Sequence, residues 1–60
     1  MKNIFWKTYQ VKFETTDGKL KNIQFFRGFV WDVVKMAIIE STEKSKKENI
    51  TWCVVEIKKV

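Results

Sequence analysis

Chemistry near neutral pH needs a proton carrier, a nucleophile or a set of metal ligands, and this chain offers few of them. It contains no histidine and a single cysteine, Cys53. General acid–base catalysis most often uses histidine, and without one Cys53 lacks the base partner that activates a thiol. A zinc shell around Cys53 would need carboxylates for the rest, a rare donor set. Asp17 belongs to an Asp-Gly turn dipeptide and Asp32 to a helix start, so neither is free for catalysis. Gly18 and Gly28 stand alone and build no phosphate-cradling loop. The expectation is no enzyme activity, no catalytic residues, no metal and no cofactor.

What remains is non-covalent chemistry carried by rings and lysines. The 60 residues include three Trp, five Phe and one Tyr, and 12 basic side chains face 7 acidic ones for a net charge of +5. A positive surplus favours nucleic acid or anionic surfaces. Yet only Arg27 among the basic residues is arginine, and the bidentate phosphate contacts that arginine makes are absent from lysine. Together with the many Ile and Asn, that balance fits an AT-rich coding genome as well as it fits a phosphate binder.

Length sets a further bound. Sixty residues make one domain, 1–60, near the lower limit for an unassisted core. Small scaffolds add disulfides, a metal or a partner subunit. One cysteine permits no internal disulfide, which leaves dense aromatic packing or oligomerisation. Lys7, Gln10 and Lys12 interrupt any apolar run at the start, so no secretory segment is read there. The apolar runs are too short to span a bilayer. A lone cysteine without a signal segment places the protein in a reducing cytoplasm.

Periodicity supplies the elements. From Phe5 to Phe13 the chain alternates, with Phe5, Tyr9, Val11 and Phe13 on one parity and Trp6, Thr8, Gln10, Lys12 and Glu14 on the other. Period two marks a half-buried strand. Asp17-Gly18 then signals a hairpin. A two-residue loop would set Phe13 opposite Asn22 and Val11 opposite Gln24, mixing apolar with polar. A three-residue loop, Thr16-Asp17-Gly18, sets Val11 opposite Ile23 and Tyr9 opposite Phe25, keeping the apolar rows together. The expectation is the second, a type I turn with Gly18 left-handed in a G1 bulge. The second strand, Lys19 to Arg27, then buries Ile23 and Phe25.

A helix follows from Phe29 to about Lys47. Val30, Val33, Val34, Ala37, Ile38 and Ser41 share one stripe, with Lys35, Ile39 and Glu43 opposite. Asn49 is placed to end it. The last strand, Ile50 to Lys59, has Thr51, Cys53, Val55 and Ile57 on one parity and Ile50, Trp52, Val54, Glu56 and Lys58 on the other. Charge enters the second row, so the first is assigned to the core.

Strand, strand, helix, strand with a right-handed crossover gives an α+β fold. It is a ββαβ chain with a three-stranded antiparallel sheet of order 2-1-3 and one helix packed on one face. The layout looks like half of a ferredoxin-like fold, and nothing covers the second sheet face. The residues expected on that open face are Trp6, Thr8, Gln10 and Lys12; Leu20, Asn22, Gln24 and Phe26; and Trp52, Val54, Glu56 and Lys58.

Interleaved rings, amides and lysines point to two functions. The first is a small interaction module binding a protein partner or a second copy through that face, because sizeable exposed apolar patches commonly mark such sites. The second is single-stranded nucleic-acid binding, with bases stacked on rings in a basic groove. Thr8, Gln10 and Lys12 stand on the central strand where stacking rings would be wanted, and Glu14 and Glu56 dilute the charge, so the first reading leads. The lysines at 44, 46 and 47 lie beyond the apolar stripe and read as a solvated helix end rather than a membrane contact.

Overall fold

The computed structural model describes residues 7–60. Strand β1 (Lys7–Thr15) turns into β2 (Lys21–Gly28), helix α1 (Val30–Glu48) crosses over, and β3 (Trp52–Lys59) closes the chain. The sheet order is β2-β1-β3, with β1 antiparallel to both neighbours. The expected α+β architecture is therefore present, with β1 central and α1 on one face.

Hairpin register departs from expectation. Phe13 pairs with Asn22, Val11 with Gln24 and Tyr9 with Phe26. The loop is one residue longer than a three-residue turn, because the Thr15 amide donates to the Leu20 carbonyl at 3.0 Å and leaves Thr16–Lys19 outside the ladder. Gly18 is left-handed as expected, with φ +74°, and its amide donates to the Thr15 carbonyl at 2.8 Å. The loop owes its length to side chains. The Thr15 hydroxyl donates to Asp17 Oδ1 at 2.6 Å and accepts from the Leu20 amide at 3.1 Å, while the Lys19 amide also reaches Asp17 Oδ1 at 2.9 Å. This is the side-chain mimicry of a turn for which Asp and Thr are suited.

One residue of loop length inverts β2, since strand side chains alternate strictly between faces. Asn22, Gln24 and Phe26 lie on the helix side and Ile23 and Phe25 on the open side. The Gln24 amide donates to Glu40 of α1 at 3.3 Å and to Asn22 at 3.1 Å, so the polar row under the helix is partnered. Phe26 packs against the core.

On β3 a bulge splits the parity. Lys12 pairs with Glu56 and Phe13 with Val54, which leaves Val55 as the extra residue. Before the bulge Trp52 and Val54 face the helix; beyond it Ile57 does, opposite Val11. Trp52 and Val54 therefore belong to the core side, whereas Thr51, Cys53 and Val55 are exposed.

The core consists of Val11 and Phe13 from β1, Val33 and Ala37 from α1, and Trp52, with Tyr9, Phe26, Val54 and Ile57 against it. The buried stripe of α1 is Val33, Ala37 and Ser41, residues small enough to let the helix approach the sheet. Val30 and Ile38, expected inside, are exposed, with Ile38 at 56%. Ile38 flanks the narrow stripe, whereas Val30 lies in line with it but at the first position of the helix, beyond the buried residues.

Both helix ends follow local rules. Gly28 takes φ 150°, a conformation side chains rarely adopt, and turns the chain out of β2. The Phe29 carbonyl then accepts the Val33 amide at 2.9 Å, and Asp32 stands in the first turn where the helix dipole favours it. Asn49 closes the helix in the left-handed conformation.

Candidate interaction surface

Away from α1, the sheet presents side chains in ranks set by the two registers. Arg27 of β2 lies beside Thr8; Phe25, Gln10 and Lys58 form the next rank; Ile23, Lys12 and Glu56 the next; and Lys21, Glu14 and Cys53 the last. Of the residues expected here, Thr8, Gln10, Lys12, Glu56 and Lys58 are on this face. Trp6 lies outside the described residues. Asn22, Gln24, Phe26, Trp52 and Val54 are on the opposite face for the reasons given above, and Leu20, in register with Thr15, shares the helix side. Ile23, Phe25 and Cys53, expected in the core, are members that strand parity alone misassigned, and Arg27 joins them on this face.

Along edge strand β2 this surface sets two apolar side chains between Lys21 and Arg27. Phe25 is 61% exposed and Ile23 50%, both on the edge strand β2. Across the centre, Lys12 Nζ lies 3.6 Å from Glu56 Oε1, both partly exposed. Exposed pairs of this kind contribute at most about 1 kcal/mol, so the pair serves to neutralise the middle of the face. Beyond it Lys58 and Arg27 are exposed cations. Cys53 is free and exposed rather than buried.

Around the helix the exposed apolar residues form two flanks. Glu40 bonds to Gln24, so the flank carrying Met36 and Ile39 lies over β2. Ser45 and Glu48 bond to Trp52, so the other side lies over β3. A shallow groove of about 440 Å³ opens between the end of β2 and the start of α1, lined by Gly28, Phe29, Met36 and Ile39 with Arg27, Asp32 and Lys35 at its rim. Among the described residues twelve large hydrophobic side chains are exposed and five hydrophobic residues form the buried core. Scattered exposed apolar residues are ordinary, but an excess of this size in so small a domain is not.

No group of three His, Cys, Asp or Glu among the described residues is placed to hold a metal ion, and no described helix is long and apolar enough to cross a membrane. Compared with known proteins, the chain matches no family model, and no curated protein or solved structure is significantly similar to it.

Proposed function

We infer that the protein is a small non-enzymatic interaction module that self-associates. The observation that carries this is the imbalance between its core and its exposed apolar surface, twelve large hydrophobic residues outside against five buried among those described. A 60-residue domain leaves a large share of its apolar area in water. A second copy removes that area and adds the core the single chain lacks. Exposed Cys53 suits a reducing compartment, in keeping with a cytoplasmic location. Sedimentation equilibrium from about 5 to 500 µM is the test, a range that spans ordinary weak-dimer affinities. A reversible rise above the 7.2 kDa chain mass is expected. A mass constant at the monomer value overturns the reading.

A second reading is favoured by one specific arrangement. Exposed Phe25 shares its face with Arg27, Lys12 and Lys58, a ring among cations of the kind that binds single strands. Anisotropy of a labelled single-stranded oligonucleotide tests it. Trp52 fluorescence does not, because Trp52 faces the helix. Salt-sensitive binding below about 100 µM supports nucleic acid; no change in anisotropy removes it.

A further inference from the structure

The two edges of the sheet differ in a way that selects one of them for pairing. Edge strands expose unpaired amides and carbonyls, and proteins protect them with charges, prolines and bulges. Edge β3 is protected: it carries the Val55 bulge and the charges of Glu56, Lys58 and Lys59. Edge β2 has a regular, unbulged register over its full length. Its charges, Lys21 and Arg27, stand near its ends, and the five residues between them, Asn22-Ile23-Gln24-Phe25-Phe26, carry neither charge nor proline.

The direction of the free backbone groups follows from two bonds. The Thr15 amide donates toward β2 and the Thr8 carbonyl accepts from Val60 on the β3 side. In an antiparallel ladder these directions alternate. Asn22, Gln24 and Phe26 therefore turn their amides to β1, while Lys21, Ile23, Phe25 and Arg27 turn theirs to the outer edge, where no described strand pairs with them.

We propose that a second copy of the chain pairs antiparallel with this edge, β2 to β2, about a two-fold axis at Phe25, joining two three-stranded sheets into one of six strands. This rests on the self-association inferred above and names its interface. Two-fold pairing that keeps like faces together allows two long registers. One, centred on Gln24, sets Lys21 opposite Arg27 of the second copy at both ends, and like charges directly opposite destabilise. The other, centred on Phe25, sets Ile23 opposite Arg27 and Asn22 opposite Gly28 and brings no cation against another. On the open face the two Phe25 rings meet at the axis. On the helix side Leu20 of the second copy, 46% exposed, passes beside the groove lined by Met36 and Ile39. Net charge of +5 on each copy opposes association, so added salt strengthens it, the reverse of nucleic-acid binding.

Ile23→Pro is the decisive variant. It deletes an amide that points outward and leaves the β1–β2 ladder its own bonds. Expected results are far-UV circular dichroism like the parent, a dimer dissociation constant raised at least about tenfold, and parent-protein amides of Ile23 and Phe25 whose exchange with solvent slows as concentration rises. Phe25→Cys in a Cys53→Ser background should form an intermolecular disulfide on mild oxidation, since directly opposed strand positions satisfy disulfide geometry. A dimer that persists in Ile23→Pro with unprotected edge amides overturns the edge interface while leaving self-association standing. A monomer at every concentration overturns both. Edge amides protected independently of concentration in a monomer also overturn it, because the edge is then covered within one chain.

Discussion

The indole N–H of Trp52 donates to the Glu48 carboxylate at 3.1 Å, joining the first residue of β3 to the last turn of α1 across a three-residue connection. Lys44 Nζ lies 4.7 Å above the same ring, and the Trp52 amide donates to Ser45 Oγ at 2.8 Å. Ser45 in turn donates to the Ser41 carbonyl at 2.8 Å. One residue thus fills the end of the core and ties the helix to the sheet by a side-chain hydrogen bond, a backbone hydrogen bond and a cation–π contact.

Trp52 is the residue whose loss this small core tolerates least. Trp52→Ala removes a large buried ring, a change that costs about 3–5 kcal/mol, comparable to the whole stability of a domain this size. Trp52→Phe keeps a ring but loses the Glu48 bond, for about 1 kcal/mol. Urea unfolding followed by far-UV circular dichroism should show a lowered midpoint for Trp52→Phe and an unfolded chain for Trp52→Ala without denaturant.

Cys53 should be reactive in the native protein. It is exposed on the open face beside Glu14, so a thiol reagent needs no unfolding step to reach it. Labelling in native buffer should proceed within about tenfold of the rate in urea. A rate limited by unfolding would place Cys53 in the core and refute the β3 register described above.

Asp17 makes hairpin stability depend on acid. Its carboxylate accepts from the Thr15 hydroxyl and the Lys19 amide, which hold its pKa below the ordinary carboxylate value. A depressed folded-state pKa contributes stability that is fully present above the unfolded value of about 3.9 and is lost as pH falls through the lower folded value. Relative to Asp17→Asn, the wild type should lose urea resistance on acidification below about pH 4 and show no such drift above it. Parallel curves for the two proteins through that range would contradict the turn network.

The Lys12–Glu56 pair should be dispensable for folding. At 3.6 Å, with side-chain exposures of 37% and 48%, it is a screened surface contact. Glu56→Gln should shift stability by less than about 1 kcal/mol, measured by thermal unfolding at low and high salt. A larger loss would mean that the pair positions the β3 bulge beside it.

Much of the architecture was legible from residue order alone. Alternation over β1, the Asp17-Gly18 turn and the helical run after Phe29 marked the elements, and the right-handed crossover then required the order β2-β1-β3. Tyr9, Val11 and Phe13 were assignable to the core because polar residues fill the other parity of β1 almost completely. Asn49 was assignable to the helix end because few side chains tolerate the left-handed conformation.

The faces of the outer strands were decided only in three dimensions. Both parities of β2 carry a phenylalanine, Phe25 on one and Phe26 on the other, so its pattern admits either orientation. The choice fell to loop length, and Thr15, Asp17 and Lys19 fix that length through hydrogen bonds no periodicity records. Under the helix, Gln24 is acceptable because Glu40 stands within 3.3 Å, a partner sixteen residues away in sequence. On β3 the Val55 bulge changes the parity midway, so no single alternating row could hold both Trp52 and Ile57. Local sequence dictates which elements form, because propensity and pattern act over a few residues. Which side of each outer strand meets the helix depends on register and bulge, where a shift of one residue exchanges the two faces.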